Sequence, residues 1–206
     1  MNNILMSSLF WKVKLYLLCE QIAVIGRYYR FPRFALIDFL LGAFYLFSNP
    51  FSICRRFCQM KGEDEVHTYG ETPLTTWEQI AKKAGIGPKD VLVDLGCGRG
   101  RICFWSVSVL GCRVVGVDRV PRFIRTARLF NSKRVRFICS EIEDAPFEEA
   151  TIVYYYALFH TLSLDKLPEG MRILSVSEPL FPGAASLGSF SFPWGEGEVF
   201  LNRVSH

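Results

Sequence analysis

The sequence predicts an α/β fold in which a mostly parallel sheet ends in an antiparallel hairpin. From about residue 91 onward, apolar runs of strand length alternate with helical patterns. Continuously apolar strands of this kind are typical of a parallel sheet that is covered on both faces. The last two strand-like runs are joined instead by Pro193-Trp194-Gly195-Glu196-Gly197, which predicts a hairpin. An N-terminal helical segment precedes the sheet.

The elements of this sheet-forming part follow from its periodicity. Strands are predicted over 91–95, 114–118, 135–139, 152–156, 173–176, 185–192 and 198–204. Thr75 or Thr76 is predicted to cap the helix before the first strand, because an acid or amide follows each at the spacing of a capping box. Further helices are predicted over 101–110 and from Pro121 to residue 131.

Residues 1–66 form the first of two predicted parts, ahead of a domain over 67–206. Within it, residues 1–61 carry eight lysines and arginines against only Glu20 and Asp38, which predicts a partner or a surface of negative charge. Helices are predicted over 4–25 and 34–47, and Asn49-Pro50 is predicted to end the second one.

Three interpretations of these apolar helices are open. They could pack as a cap on the rest of the chain, lie in a membrane interface with their arginines towards anionic headgroups, or span a membrane. The run 34–47 is shorter than the roughly 20 apolar residues that a spanning helix needs, and it contains Asp38. The sequence therefore favours the cap, with peripheral contact between residues 1–61 and an anionic membrane as the alternative.

Length and cysteine usage restrict the class of protein. A chain of 206 residues suffices for one domain with a full hydrophobic core. None of its seven cysteines forms the CxxC spacing of a zinc site, so no metal is predicted, and Cys103, Cys112 and Cys139 are interpreted as small core side chains. The odd count and the lack of a secretory signal pattern predict a cytoplasmic, reducing location, with membrane-peripheral association as the alternative.

A glycine-rich loop follows the first predicted strand and precedes a helix. It reads Asp94-Leu95-Gly96-Cys97-Gly98-Arg99-Gly100. Glycines in such a loop let the backbone approach a ligand closely, and the helix N-terminus adds a positive dipole end. The spacing is GxGxG, whereas the nicotinamide dinucleotide fingerprint has GxGxxG. The loop therefore predicts an adenosine-type ligand other than NAD.

Acidic residues at the ends of the predicted strands narrow the choice of ligand. S-adenosylmethionine has no phosphate and carries an ammonium and a sulfonium, so a carboxylate such as Asp94 beside the loop is favourable. Asp118 ends the second strand, where an acid can accept both ribose hydroxyls. Glu141 follows the third strand and is placed to accept from the adenine amine, with Ile142 beside the ring. We therefore predict S-adenosylmethionine as the cofactor.

Taken together, these motifs resemble those of a known family. Residues 91–204 look like a minimal class I methyltransferase, with 91–101, 116–118 and 140–142 as its three cofactor motifs. The resemblance implies a Rossmann-like, seven-stranded methyltransferase sheet with a C-terminal antiparallel hairpin. It also places Gly96, Cys97 and Gly98 in the cofactor site.

A second resemblance concerns the segment before the sheet. Tyr69-Gly70-Glu71-Thr72, followed by a helix and the glycine loop, is similar to the non-SET histone-lysine methyltransferase family, the telomeric-silencing disruptor type. In that family this loop folds over the methionine end of the cofactor. The resemblance implies that Tyr69, Glu71 and Thr72 join the cofactor site, with Glu71 near the ammonium.

The acceptor side departs from both known patterns. Neither the Asn-Asn-Phe segment of that lysine-methylating family nor the Asn/Asp-Pro-Pro-Tyr motif of amide- and adenine-N6 methyltransferases follows the fourth strand, so chromatin is not supported as a substrate. The place is taken by Tyr154-Tyr155-Tyr156-Ala157-Leu158-Phe159-His160. Tyr155, Tyr156 and Phe159 are candidates for an aromatic wall, with Tyr156 as the candidate catalytic residue. His160 is interpreted as structural rather than as a base.

The sequence leaves three functions open. The favoured one is methyl transfer to a protein side chain such as lysine. The alternatives are methyl transfer to a lipid, quinone or other apolar acceptor at a membrane, and a non-catalytic methyltransferase-like binding protein. Nucleic acid is not an expected partner, because the arginines at 119, 122, 125 and 128 are interpreted as a solvated helix face and no RNA-binding aromatic pattern occurs.

Overall fold

The protein folds around one seven-stranded sheet, described here from a computed structural model over residues 2–63, 69–156 and 167–205. Of residues 2–10 only the helical backbone is described. The helices are α1 (Asn2–Tyr28), α2 (Pro32–Leu46), α3 (Pro50–Lys61), α4 (Leu74–Lys83), α5 (Arg101–Trp105), which continues as a π-helical turn over Ser106–Leu110, and α6 (Pro121–Arg128). The strands are β1 (Val91–Leu95), β2 (Arg113–Asp118), β3 (Val135–Cys139), β4 (Ile152–Tyr155), β5 (Arg172–Val176), β6 (Ala185–Phe192) and β7 (Gly195–Arg203).

The strand order is β3-β2-β1-β4-β5-β7-β6. Strands β1 to β5 pair in parallel, whereas β7 pairs antiparallel with both β5 and β6. This arrangement confirms the predicted fold class. The chain leaves β1 on one side towards β2 and returns on the other side to β4, so the order reverses at β1. In open α/β sheets, ligands bind at the carboxyl ends of the strands at such a point.

Both faces of the sheet are buried, as the apolar strands predict. On one face the core contains Trp77, Phe104 and Trp105 and extends into the N-terminal helices, where the Tyr28 ring meets the Trp105 ring edge-on at 5.4 Å. A second core on the opposite face includes Val93 and Tyr155. The N-terminal helices therefore share a hydrophobic core with the sheet.

Helix α3 was not predicted. Asn49-Pro50 ends α2, as expected, but the same two residues also begin the next helix. The side chain of Asn49 accepts a hydrogen bond from the Phe51 backbone N–H at 2.9 Å, and Pro50 occupies the first turn, where no N–H is needed. None of the described helices is by itself long and apolar enough to cross a membrane, although α2 and α3, bent by 61°, meet the criteria as a pair.

Three local predictions are wrong. Helix α4 begins at Leu74 without a side-chain cap, because Thr75 and Thr76 donate instead to Glu20 and to the Ser191 carbonyl. Strand β7 begins at Gly195, so only Pro193 and Trp194 separate the hairpin strands rather than five residues. Of the three cysteines expected in the core, Cys103 and Cys112 are buried and Cys139 is exposed at the end of β3.

Candidate functional site

A cleft opens at the carboxyl ends of β1, β2 and β4, where the strand order reverses. All ten residues that the sequence predicts for the cofactor line this cleft. They are Tyr69, Glu71, Thr72, Asp94, Gly96, Cys97, Gly98, Asp118, Glu141 and Ile142. The structure therefore brings together residues from four separate segments of the chain, as the motif analysis expects.

Two glycines of the loop are required for close packing. Gly98 has φ +53°, and a Cβ at this position would lie 3.3 Å from the Tyr69 ring. Gly100 has φ +80°, and a Cβ there would lie 2.7 Å from the Phe137 ring. These positive φ values favour glycine, since other residues are strained there. The loop is thus held between an aromatic side chain from the upstream segment and one from β3.

Asp118 holds the loop in place and faces the cleft. Its two carboxylate oxygens accept hydrogen bonds from the backbone N–H groups of Gly98 and Val120, each at 2.8 Å. Burial raises the pKa of this carboxyl, although both N–H groups oppose the shift. Each oxygen keeps a free lone pair and can accept from a hydroxyl, as two ribose oxygens would require.

Asp94 is a buried carboxyl beside the glycine loop, only 3% exposed. Burial raises its pKa to about 7, and nearby Asp118 adds to this shift, while a hydrogen bond from the Cys103 thiol at 3.3 Å opposes it. No ion pair involves Asp94 within the part of the chain that the structure describes. A cationic ligand in the cleft would supply the charge that a buried carboxylate needs.

Glu71 lies in the cleft wall but is already paired. Both of its oxygens accept hydrogen bonds from Arg99 at 2.5 Å, and it also accepts from the Tyr69 hydroxyl. Burial by itself would raise the pKa of Glu71, but the Arg99 charge dominates and holds it at about 2. The expected contact between Glu71 and an ammonium stays a prediction. What the geometry establishes is that Glu71 joins the upstream segment to the glycine loop.

Arg101, the first residue of α5, connects the loop to the N-terminal helices. It donates to Asp38 of α2 at 2.8 Å and to Gln21 of α1 at 3.2 Å, and it lies 3.9 Å from Glu71. Asp38 is buried by this contact. The loop conformation thus depends on residues that lie outside the predicted 67–206 domain.

The predicted adenine end of the cleft is more open. Glu141 and Ile142 line it, together with Glu143. Glu141 lies 3.9 Å from Arg119, whose guanidinium pairs more closely with Glu63. Arg119 is therefore a cleft residue and not part of a solvated helix face.

The opposite end of the cleft is aromatic. Tyr154, Tyr156 and Trp194 line it, and the rings of Tyr156 and Trp194 lie 5.4 Å apart. The Tyr154 hydroxyl lies 2.6 Å from the Thr72 hydroxyl, so the upstream segment closes over this wall. The aromatic wall is defined here as Tyr154, Tyr156 and Trp194.

The prediction of Tyr155 in this wall is wrong. Successive side chains of a strand point to opposite faces, so Tyr155 enters the second core and is 1% exposed. Burial raises its pKa to about 12. Phe159 and His160 lie outside the described residues.

Trp194 was missed by the sequence analysis. It occupies the hairpin turn, stacks on Phe192 with ring centroids 5.1 Å apart, and contacts Gly70. The available signal in the sequence was a large aromatic residue between Pro193 and Gly195.

The cleft fits S-adenosylmethionine on two observations of this structure. Asp94 is a buried carboxyl without an ion-pair partner among the described residues, beside which a cation is favoured. Gly98 leaves the space that a Cβ would fill, and its N–H and that of Val120 fix Asp118 at the edge of this space. A dinucleotide is disfavoured in this cleft, because its negatively charged pyrophosphate would lie near the carboxyl groups of Asp94 and Asp118.

Comparisons with known proteins agree with this geometry. Residues 92–175 match the family model described as a methyltransferase domain. Two curated relatives are a histone H3 lysine-79 N-methyltransferase of Dictyostelium discoideum, 40% identical over 50 residues, and the sterol 24-C-methyltransferase of Saccharomyces cerevisiae, 31% identical over 107 residues. These matches cover 24% and 48% of this chain and 3% and 28% of the relatives, so the chain spans only a small part of their length.

Solved structures show the same fold. An RNA methyltransferase from Salinibacter ruber, crystallised with S-adenosyl-L-homocysteine, is 23% identical with a TM-score of 0.55, covering 66% of this chain and 94% of its own. TrmN from Thermus thermophilus is 20% identical with a TM-score of 0.53, covering 67% and 50%. The topology, the family match and the fit of the cleft agree with one another: residues 92–175 match a methyltransferase domain within a Rossmann-like methyltransferase fold, and the cleft fits S-adenosylmethionine as its cofactor.

Proposed function

We propose that the protein transfers a methyl group to an amine of another protein, such as a lysine side chain. The observation that carries this proposal is the aromatic wall at one end of the cofactor cleft. Ring faces attract a cationic amine. They also exclude water from it, and the loss of hydration lowers the pKa of an amine towards the neutral, nucleophilic form.

Bound S-adenosylmethionine would supply an activated methyl group, so the protein's own contribution is mainly alignment and exclusion of water. Holding two reactants in line can contribute roughly 7–11 kcal/mol in favourable systems. Tyr156 and Trp194 are placed to hold the acceptor. The Thr72 hydroxyl and the Tyr154 hydroxyl, 2.6 Å apart, tie the upstream segment over the cleft and limit the access of water.

Residue roles on the cofactor side complete the proposal. Asp94 faces the ammonium and sulfonium end, Asp118 accepts from the ribose hydroxyls, and Glu141 accepts from the adenine amine beside Ile142. Gly96, Cys97 and Gly98 line the floor of the site. Tyr69 and Thr72 cover it, while Glu71 acts through Arg99 to hold this cover.

Further support for a protein acceptor comes from one of the curated relatives. The curated relative named for lysine 79 of histone H3 shares 40% identity over 50 residues. Within the cleft, the aromatic wall suits an amine. Because this match covers only 50 residues, the proposal of an amine acceptor depends mainly on the aromatic wall of the cleft.

An apolar acceptor at a membrane is the second candidate. The many exposed apolar side chains of α1 to α3 favour it, as does the relative named as a sterol methyltransferase. Both candidate functions use the same cofactor site, and they differ only in the acceptor molecule that binds at the aromatic wall.

The test is transfer of a tritiated methyl group from S-adenosylmethionine to a host lysate, followed by separation into protein, lipid and nucleic acid. We expect label in protein, released as methyl-lysine after hydrolysis, and loss of this label with the Tyr156→Ala variant. Label in lipid alone would replace the proposal by the second candidate. Binding of S-adenosylhomocysteine without any labelled product would indicate a non-catalytic binding protein.

A further inference from the structure

The outward face of α1 is apolar. Trp11, Leu15, Leu18, Ile22 and Ile25 recur every three or four residues and therefore lie on one side of the helix. These five side chains are between 48% and 65% exposed. A helix at the surface of a water-soluble domain usually carries polar residues on this side.

Helix α2 repeats the pattern. Leu36, Phe39 and Leu46 follow the same helical spacing, are 60–73% exposed, and are continued by Phe47 just beyond the helix. Among the described residues, all exposed large hydrophobic side chains except Leu129 and Trp194 lie between residues 11 and 60. Such a concentration of exposed apolar side chains in one segment marks an interaction surface.

The acids of the same helices point inwards. Glu20 accepts hydrogen bonds from the backbone N–H and the hydroxyl of Thr75, and Asp38 pairs with Arg101. Both carboxylates are buried, at 8% and 6% exposure. The inward faces thus carry both acids beside core side chains such as Phe34 and Leu41, while the outward faces are apolar and basic.

Every exposed charge of this segment is positive. The exposed cations are Lys12, Lys14, Arg27, Arg30, Arg33, Arg55, Arg56 and Lys61. Glu20 and Asp38 are the acids of residues 11–61 and both are buried, so no exposed carboxylate of this segment offsets its cations. Arg27 lies 3.7 Å from Glu78 of α4, outside the segment. Apolar side chains flanked by cations are the composition of a helix that lies in an anionic membrane interface.

We propose that residues 11–61 form a docking surface for an anionic lipid bilayer, on which the protein lies without crossing it. A second copy of the chain is a poor occupant, because it would bring the same cations against these ones. A single helical span is also disfavoured. Helix α2 has 15 residues, about 22 Å of helix, against a hydrocarbon core of about 30 Å, and none of the described helices, α1 included, is both long and apolar enough to cross alone.

The docking surface adjoins the cofactor cleft. Cys54 of α3 lines the cleft, and Phe51, 54% exposed on the same helix, meets the Tyr69 ring at 5.1 Å. Bound to a membrane, the protein would hold its cleft close to the headgroups. Lipid binding itself does not depend on the proposed methyl transfer, so the two are tested separately.

The test is flotation of the full chain with vesicles of phosphatidylcholine, with and without phosphatidylglycerol. We expect flotation with the anionic vesicles only, weakening as salt is added. Leu18→Glu with Phe39→Glu should lower the partition coefficient about tenfold or more, since both side chains leave the hydrocarbon. The control is Leu129→Glu, a similarly exposed leucine just beyond the C-terminus of α6, which should float like the unaltered protein.

A second pair of variants tests the charges. Arg55→Gln and Arg56→Gln should each weaken binding about fivefold, whereas Lys89→Gln, an exposed cation outside the surface, should not. Equal binding to neutral vesicles, or unchanged flotation of the double glutamate variant, would overturn the proposal. So would a dimer, seen by light scattering, that dissociates in that variant. Retained binding of S-adenosylhomocysteine shows that each variant is folded.

Discussion

Arg101, at the start of α5, donates from Nε to Oδ1 of Asp38 at 2.8 Å, across a separation of 63 residues. Both side chains are largely buried, and the remaining carboxylate oxygen of Asp38 also accepts from Arg101, at 3.2 Å. The pair fixes α2 against the helix that follows the glycine loop. It makes the N-terminal helices part of the support of the cofactor site.

Removal of this pair should destabilise the whole domain. Asp38→Ala leaves the Arg101 guanidinium buried without its main partner, so we expect the free energy of unfolding to fall by about 3 kcal/mol. Urea denaturation measures this change. The control is Glu149→Ala, which breaks the exposed pair with Arg113 and should cost less than about 1 kcal/mol. Similar losses in the two variants would contradict the structural role of Asp38.

Cofactor affinity should depend on the protonation of Asp94. Its pKa is raised to about 7, and only the carboxylate form attracts a cation. We therefore expect S-adenosylhomocysteine, which keeps the ammonium, to bind about tenfold more weakly at pH 6 than at pH 8. Isothermal titration calorimetry measures both values. Asp94→Asn should bind weakly at both pH values, and a pH profile like that of the unaltered protein would refute the assignment.

The same raised pKa affects stability. In the folded state Asp94 holds its proton up to about pH 7, whereas an unfolded aspartate loses it near pH 4. The folded protein binds more protons in this window, so the contribution of Asp94 to stability is present below pH 4 and is lost as the pH rises towards 7. Asp94→Asn should remove this part of the pH dependence in urea denaturation measured at pH 5 and pH 7.

Gly98→Ala should impair the cofactor site more than the fold. An alanine held at this positive φ lowers the free energy of unfolding by about 1–2 kcal/mol, and its Cβ would press on the Tyr69 ring. Gly62→Ala is a matched control, with φ +71° and no atom within 4 Å of its Cβ. We expect both variants to lose stability, Gly98→Ala somewhat more, but weaker S-adenosylhomocysteine binding only in Gly98→Ala. Equal affinities would contradict the role of the Tyr69–Gly98 contact.

Trp194→Ala should separate acceptor binding from cofactor binding. The side chain is 46% exposed, so its loss should leave the fold intact, while the aromatic wall loses one of its three rings. We expect kcat/KM for methyl transfer to fall about tenfold, with unchanged affinity for S-adenosylhomocysteine. Trp194→Phe should restore most of the activity. A loss of cofactor affinity instead would place Trp194 in the cofactor site.

Much of the site could be predicted because its signals are local. The loop Asp94–Gly100 and Asp118 lie at strand ends, and parallel strands bring their carboxyl ends to the same edge of a sheet. The error at Tyr155 was avoidable, since strand alternation alone places it opposite Tyr154 and Tyr156. The capping error at Thr75 was not, because the competing acceptor Glu20 lies 55 residues away.

The sequence by itself determined the alternation of strands and helices, the hairpin and the acids beside the glycine loop, since each depends on residues that are close in the chain. Only the tertiary structure decided which charges meet. It paired Glu71 with Arg99 and Asp38 with Arg101, and it placed Trp194 in the cleft. It also decided which of the apolar side chains of α1 and α2 are buried and which stay exposed, because their carboxylates are held inwards by partners on other elements. Such long-range partners leave no periodic pattern in the chain.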